Sequence, residues 1–267
     1  MFDTHAHLDA EEFDADRAEV IARARQAGVE KILCPAIHAA SSEAVVRLAE
    51  SQPGLYAAVG IQPNYAGQAT AGDWARIEAL AGHPRVVAVG ETGLDRYWDF
   101  TRFDVQQDYF DRHLRLAQQR GLPLVIHCRD AEADLLPMLR EAAARGPLAG
   151  VLHSYSGDQA TADECLQMGL FLSFSGAVTY TNKKFEPLRA VAAGVPFDRI
   201  LIETDSPYLV PHPLRGRQKR NEPAHLVLTA RRLSDLRGLS LEEFSAQIAA
   251  NARRLFRLGH ENHLLEP

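Results

Sequence analysis

Short apolar runs alternate along the whole chain with longer stretches that carry apolar residues at helical spacing. Most of the short runs are continuous rather than alternating, as expected of parallel strands that are buried on both faces. The pattern therefore predicts eight strands, at Met1–His5, Glu30–Ile37, Leu55–Ile61, Val86–Glu91, Leu124–His127, Gly150–His153, Leu170–Ser175 and Arg199–Glu203.

Glycine directly follows four of the helical patterns and is a good helix stop. Two further helices are predicted at 222–236 and 240–258, and Ser240 with Glu243 has the spacing of a capping box. The four helices that end at a glycine are predicted at Asp14–Ala27, Arg102–Arg120, Asp158–Met168 and Phe185–Ala193.

The alternation of eight strands with helices predicts an α/β fold, a single-domain (β/α)8 TIM-like barrel over residues 1–267. A doubly wound open sheet is the alternative. Such a sheet usually carries a glycine-rich phosphate loop after its first strand, where this chain has Thr4-His5-Ala6-His7 instead.

Composition narrows the class of protein. The chain is 46% hydrophobic and 24% charged, as is ordinary for a globular protein, and has a formal net charge of −6. Any contact with nucleic acid must therefore come from a local patch or a metal centre. No apolar run is long enough to span a membrane, and no basic segment precedes an apolar one at the N terminus. Three cysteines without a C-x-x-C motif are typical of reduced thiols, which predicts a cytoplasmic protein.

Histidines and carboxylates stand where five of the predicted strands end, which is where a barrel places its functional groups. His5 and His7 are two residues apart, so in a strand both imidazoles face the same side. Alternation also puts each later polar residue in phase with apolar residues that fill the barrel. The sets that share a face are Val87, Val89 and Glu91; Val125 and His127; Val151 and His153; and Leu201, Glu203 and Asp205.

Four imidazoles and two carboxylates at one barrel mouth predict a site for two divalent metal ions, with Mg, Mn or Zn as candidates. Two ions that lie close together need an anionic bridge. Many barrel hydrolases use a carboxylated lysine, but none of the four lysines of this chain stands at a strand end. Glu91 is therefore the predicted bridge, and Asp205 is predicted to bind metal and accept a proton from the attacking water. The predicted ligands are His5, His7, Glu91, His127, His153 and Asp205.

These residues lie in motifs that resemble the TatD family of metal-dependent deoxyribonucleases, within the amidohydrolase-like barrel superfamily. The resemblance spans nearly the whole chain. The matching stretches are Asp3-Thr4-His5-Ala6-His7-Leu8-Asp9, Gly90-Glu91-Thr92-Gly93-Leu94-Asp95, Pro123-Leu124-Val125-Ile126-His127-Cys128-Arg129-Asp130-Ala131, His153-Ser154-Tyr155-Ser156-Gly157, Glu203-Thr204-Asp205-Ser206-Pro207-Tyr208-Leu209, Arg220-Asn221-Glu222-Pro223 and Asn251-Ala252-Arg253-Arg254-Leu255-Phe256.

The resemblance implies a TIM-like barrel and divalent-cation-dependent hydrolysis of DNA phosphodiesters. It also implies that His5, His7, Glu91 and Asp205 hold one metal, and that Glu91 with His127 and His153 holds the second. One departure concerns the position after the third strand, where the family commonly has Gly-x-His-Pro and this chain has Gly60-Ile61-Gln62-Pro63. Gln62 can hydrogen-bond but cannot become a cation, so the resemblance does not imply a charged contact to phosphate or to the leaving group at this position.

Other polar residues near the mouth are predicted to contact the substrate or to support the metal ligands. A solvated loop is the alternative for the four cations of 215–220, but their place after the eighth strand favours phosphate contact. The aromatic residues Tyr97, Trp98 and Phe100 either stack a base or cap the barrel, and the prediction favours the cap. Glu203, Asp95 and Gln62 are predicted to support the ligands from behind. The predicted substrate contacts are Arg129, Arg215, Arg217, Lys219 and Arg220.

The leading prediction is a metal-dependent deoxyribonuclease that acts as an exonuclease on DNA, with activity on RNA left open. No stable protein partner and no membrane partner are predicted. An amidase or lactonase acting on a small molecule is the alternative, and a non-catalytic scaffold is a third reading that the full ligand set disfavours. The histidines favour zinc or manganese, whereas the resemblance implies magnesium.

Overall fold

The computed structural model describes residues 1–258, in which eight parallel strands follow one another in chain order around a nearly closed barrel. The predicted TIM-like fold is confirmed. Residues 259–267 of the predicted domain lie outside the described part of the chain. The strands are β1 (Phe2–Asp3), β2 (Lys31–Pro35), β3 (Leu55–Val59), β4 (Val86–Asp95), β5 (Leu124–Arg129), β6 (Gly150–Leu152), β7 (Phe171–Phe174) and β8 (Ile200–Ile202).

Helices separate the strands and form the outer layer. No helix within residues 1–258 combines the length and the apolar character needed to cross a membrane. The helices of the described residues are α1 (Arg17–Gln26), α2 (Ala39–Ser51), α3 (Asp73–Leu80), α4 (Phe103–Arg120), α5 (Glu132–Arg145), α6 (Gln159–Gln167), α7 (Glu186–Gly194), α8 (Leu226–Arg237) and α9 (Leu241–Leu255).

Helix starts differ from the prediction where local turns intervene. The helix predicted from residue 222 begins only at Leu226, because Pro223–His225 forms a separate 3₁₀ turn with proline at its first position. The capping box of Ser240 and Glu243 is confirmed at the start of α9. Helix α2 had no predicted start, because its cap is the His38 side chain, whose Nδ1 accepts the Ser41 backbone N–H.

Backbone hydrogen bonds between the last and first strands bring the two ends of the barrel sheet together. The Thr4 N–H donates to the Ile202 carbonyl at 3.3 Å, and the Asp205 N–H donates to the His5 carbonyl at 2.9 Å. The metal-ligand candidates on these two segments are therefore held by the main chain itself.

Apolar side chains fill the barrel interior and close it at one end. The Phe2 ring, at the start of β1, lies 5.7 Å from the ring of Phe256, which follows α9. Parallel strands place all their carboxyl ends at the opposite end, so the polar residues there form the open mouth. The buried residues of the interior core are Phe2, Leu33, Tyr56, Ala58, Val87, Ala88, Val125, Val151, Phe171, Leu201, Ala252, Leu255 and Phe256.

Strand β4 departs from simple alternation. Val87 and Ala88 both pack in the interior core, whereas Val89 packs on the helix side, so the prediction that Val87, Val89 and Glu91 share a face is wrong for Val89. The reason is a pair of register shifts, one against β3 between Ala57 and Ala58 and one against β5 between Val89 and Thr92. Val125, Val151 and Leu201 pack in the interior as predicted.

Candidate metal centre

The first group of ligand candidates gathers at the ends of β1 and β4. The Nε2 atoms of His5 and His7 are 3.1 Å apart. Glu91 Oε2 lies 3.4 Å from His5 Nε2 and 3.7 Å from His7 Nε2. His7 Nδ1 lies 3.2 Å from the Pro35 carbonyl oxygen, which accepts its proton and so leaves Nε2 as a metal ligand. These three side chains converge on a volume of the size of one metal ion.

The second group uses the other oxygen of the same carboxylate. Glu91 Oε1 lies 3.1 Å from His127 Nδ1 and 3.3 Å from His153 Nε2. The two imidazole nitrogens are themselves 3.3 Å apart. Glu91 thus faces a different pair of imidazoles with each of its oxygens, which is the geometry required of a bridging carboxylate.

Asp205 lies beside the first group, after β8. Its Oδ1 is 3.8 Å from His5 Nε2 and 3.7 Å from His7 Nε2. Burial raises the pKa of Asp205 to about 6, against the opposing effect of His153 and His7. The carboxylate can therefore either complete a ligand set with the two histidines or hold a proton next to it. All six predicted ligands are brought together at the mouth.

A buried carboxylate that the sequence reasoning did not single out fixes this edge of the site. Asp3 accepts hydrogen bonds from the backbone N–H of Thr204 at 2.9 Å and from its hydroxyl at 2.6 Å. It also accepts the His5 N–H at 3.3 Å. Asp3 is fully buried, and burial raises its pKa to about 7 despite these bonds. The available signal was its place two residues before a histidine ligand candidate.

Asp95 orients one imidazole from behind. Its Oδ2 lies 2.9 Å from His127 Nε2 and accepts the proton there, so that Nδ1 faces Glu91. Burial alone would raise the pKa of Asp95, but hydrogen bonds from His127, Trp98 and Asn64 lower it to about 2. Asp95 therefore stays ionised and holds the imidazole of His127 in place.

Glu203 takes the corresponding place behind His153. Its Oε1 lies 3.4 Å from His153 Nδ1 and accepts the Ser154 N–H at 2.6 Å, and the side chain is fully buried. Gln62 stands one layer farther out. Its side chain accepts the Asn64 N–H at 2.8 Å, and the Asn64 amide donates to Asp95 at 3.0 Å. These hydrogen bonds link Gln62 to the metal-ligand candidate His127 through Asn64 and Asp95.

The site contains buried carboxylates that no lysine or arginine of the described residues neutralises. Within the described residues, Glu91, Glu203 and Asp205 form no ion pair with any lysine or arginine. Burial would raise the pKa of Glu91, but the surrounding imidazoles hold it well below its usual range. Conversely, Glu91 and Glu203 outweigh burial and hold the pKa of His153 well above its usual range. Imidazole nitrogens and carboxylate oxygens are ligands of divalent metals, so the residues present fit metal ions.

Arg220, a predicted substrate contact, pairs with a carboxylate of this chain. Its guanidinium donates to both Asp16 oxygens at 2.8 Å and lies 4.7 Å above the Phe13 ring. Because both terminal nitrogens already bind a carboxylate, Arg220 tethers the loop after β8 to the start of α1.

The other predicted cations remain at the mouth. Arg215 stacks 3.9 Å from the Tyr180 ring, and Arg129 stacks 3.6 Å from the Tyr97 ring; both are exposed. Arg217 and Lys219 are exposed and form no ion pair with any residue in 1–258. These four side chains are free to meet an anion.

The aromatic residues after β4 do not cap the barrel, contrary to the favoured prediction. Tyr97, Trp98 and Phe100 are exposed and pack against neither of the two apolar cores of the described residues. Tyr208, after β8, is exposed on another side, with its ring 6.2 Å from the ring of His7.

Comparison with known proteins identifies the family of this chain. The family model for TatD-related DNases matches residues 2–257. A Bacillus subtilis protein described as the uncharacterised metal-dependent hydrolase YabD is 41% identical, over 97% of this chain and 99% of its own length. The 3'-5' ssDNA/RNA exonuclease TatD of Pantoea vagans is 37% identical, over 97% of this chain and 100% of its own length. The crystal structure of YjjV, a TatD homologue from Escherichia coli, superposes with a TM-score of 0.90 at 31% identity, covering 97% of this chain and 98% of its own. This chain therefore belongs to the TatD-related family of metal-dependent hydrolases.

Proposed function

We propose that this protein hydrolyses phosphodiester bonds at the ends of DNA strands, as an exonuclease that uses two divalent metal ions. One observation carries the proposal. Each oxygen of Glu91 faces its own pair of imidazole nitrogens, at 3.1–3.3 Å on one side and 3.4–3.7 Å on the other. Sites with two neighbouring ions act on both the attacking and the leaving oxygen of a displacement at phosphorus.

His5, His7, Glu91 and Asp205 would hold one ion, and Glu91, His127 and His153 the other. When bound, such ions supply Lewis acidity and lower the pKa of water towards neutrality. Asp205, next to the first group, accepts a proton from the attacking water. Asp95 keeps the His127 imidazole in the orientation that presents a lone pair to the site, and Glu203, 3.4 Å from His153 Nδ1, favours the corresponding orientation of His153 by its charge.

The exposed basic side chains at the mouth favour a polyanionic substrate over a neutral amide. Arg129, Arg215, Arg217 and Lys219 are exposed there, although the whole chain carries a net charge of −6. Relatives at 35–38% identity are named 3'-5' ssDNA/RNA exonucleases, which supports strand ends as substrate and adds RNA as a second one to test. A cytoplasmic location and the lack of a stable protein partner stay predictions.

The direct test is cleavage of end-labelled single- and double-stranded DNA and RNA after chelation, with Mg, Mn or Zn added back singly. We expect the oligonucleotides to be shortened stepwise from one end, and we expect this shortening to occur only when metal is present. Cleavage that needs no metal would contradict the metal-dependent mechanism. If no oligonucleotide is cut with any metal, while a small amide or lactone is, the amidase or lactonase alternative is correct.

The exposed cations at the mouth predict how oligonucleotide affinity depends on salt concentration. Changing Arg217 and Lys219 together to alanine should flatten the dependence of log affinity on log salt by up to ~2 units, because each lost phosphate contact removes roughly one. The measurement is oligonucleotide affinity over a range of salt concentrations.

The matched control changes Arg25 and Arg120 to alanine, since both are exposed and lie in the last turns of α1 and α4, at the closed end of the barrel. It removes the same charge and should leave the slope as in the wild type. Equal slopes for all three proteins would show that 215–219 is only a solvated turn.

A further inference from the structure

Three aromatic side chains form an exposed shelf after β4. We name Tyr97, Trp98 and Phe100 the aromatic shelf; their exposed fractions are 54%, 43% and 62%. The Trp98 and Phe100 rings stack with centroids 5.2 Å apart at an angle of 14°, and Tyr97 meets Trp98 edge-on. Exposed aromatic clusters are costly in water and mark surfaces that bind something.

The shelf is fastened to the metal centre by short hydrogen bonds. The backbone N–H groups of Tyr97 and Trp98 donate to Asp95 Oδ1 at 2.8 and 3.0 Å. The other oxygen of Asp95 accepts from His127, one of the ligand candidates. A single carboxylate therefore sets the position of the shelf and of the imidazole, so a group lying on the shelf has a fixed relation to the reacting phosphate.

Charge beside the shelf indicates what lies on it. The exposed guanidinium of Arg129 lies 3.6 Å from the Tyr97 ring and 5.8 Å from the Trp98 ring. Flat apolar faces next to a cation complement a nucleotide, whose base stacks while its phosphate meets the positive charge.

We propose that the aromatic shelf stacks unpaired bases next to the scissile phosphate and so makes the enzyme select single-stranded ends. The proposal rests on the nuclease function proposed above. Bases in a duplex are already stacked and paired, and reaching the shelf would require them to leave the helix. Sequence preference is expected to be weak, because every base offers a flat face.

The first experiment is a fluorescence titration. The chain has two tryptophans, and Trp74 packs against the rings of Tyr109 and His113 on the helix side. Trp74→Phe therefore leaves Trp98 as the sole tryptophan. On the metal-loaded protein, a phosphorothioate-ended oligothymidylate should quench this emission. A blunt hairpin, or the same strand with abasic residues at its end, should quench it far less at equal occupancy.

The second experiment measures KM. Changing Trp98 and Phe100 together to alanine should raise KM for single-stranded DNA about tenfold or more, with a smaller change in kcat. Trp98→Phe should restore most of the affinity, and Trp74→Phe is the control for loss of an aromatic ring elsewhere. On a substrate whose end carries abasic residues, the wild type and the double variant should have similar KM values, because the substrate offers no base to stack.

The outcomes separate the two proposals. Cleavage of oligonucleotides that is unaffected by the double variant and by abasic ends overturns the shelf and leaves the nuclease function in place. A double variant that changes the oligomeric state in light scattering shows instead that the shelf is a contact between copies of this chain, which also overturns the proposal. If the wild type neither binds nor cuts any oligonucleotide, both proposals fail.

Discussion

Changing Glu91 to glutamine is expected to lower kcat for phosphodiester hydrolysis by at least ~10³-fold, since metal assistance contributes several kcal/mol and each ~1.4 kcal/mol is tenfold in rate. Glutamine keeps the volume of this buried side chain but offers neither the negative charge nor the second oxygen of a bridge. Bound metal should also fall from about two ions per chain to one or fewer. The measurements are steady-state hydrolysis and elemental analysis of the purified protein.

The same substitution at two other glutamates provides the comparison for Glu91→Gln. Glu203→Gln should lower kcat about 10- to 100-fold, because Glu203 lies behind His153 and is not itself a predicted metal ligand. Glu141→Gln should have no effect, since Glu141 is an exposed helix residue paired with Arg145. Full turnover, or two ions retained, in folded Glu91→Gln protein would refute the bridge.

Gly93→Ala is expected to unfold or loosen the site more than any surface substitution. Gly93 has φ +136, and an added Cβ would lie 1.9 Å from the His127 carbonyl oxygen on the paired strand. Since the backbone on both sides is in the barrel sheet, relief of the clash must displace His127 itself. We expect a loss of unfolding free energy of roughly 3 kcal/mol or more, together with loss of metal binding.

Gly169→Ala is the matched control. Gly169 also has a positive φ, at +83, but an added Cβ would meet nothing within 4 Å. This variant should lose only ~1–2 kcal/mol from the left-handed backbone and should keep its activity. Urea unfolding of the two variants gives the comparison; equal losses of stability would mean that β5 is not sensitive to the contact at Gly93.

The strand order and the gathering of the ligand candidates at one end of the barrel could be predicted from the sequence, because both follow from local rules. Continuous apolar runs predict buried parallel strands, and parallel strands bring their carboxyl ends together. Val125 with His127 and Val151 with His153 also obey simple alternation, because β5 and β6 pair without register shifts. Strand β4 does not, and only the second register shift returns Glu91 to the face that alternation assigned to it.

Contacts that depend on register and loop path could not be predicted. Asp95 reaches His127 because the neighbouring Gly93 and Leu94 pair with His127 and Cys128 across β4 and β5, which the spacing along the chain does not reveal. Arg220 was grouped with the neighbouring cations, yet its partner Asp16 lies near the other end of the chain. A sequence pattern shows that a charge is present but not whether a distant carboxylate neutralises it.

The contact between Phe2 and Phe256 also bears on how the chain folds during synthesis. The two rings lie on segments that are far apart in the sequence, β1 and the residue after α9, and the hydrogen bond from Thr4 to Ile202 likewise joins distant segments. The closed end of the barrel therefore cannot form on a nascent chain until α9 has left the ribosome. Contacts of such long sequence separation slow folding and make it cooperative, so the protein is expected to gain its metal-binding mouth in one late step.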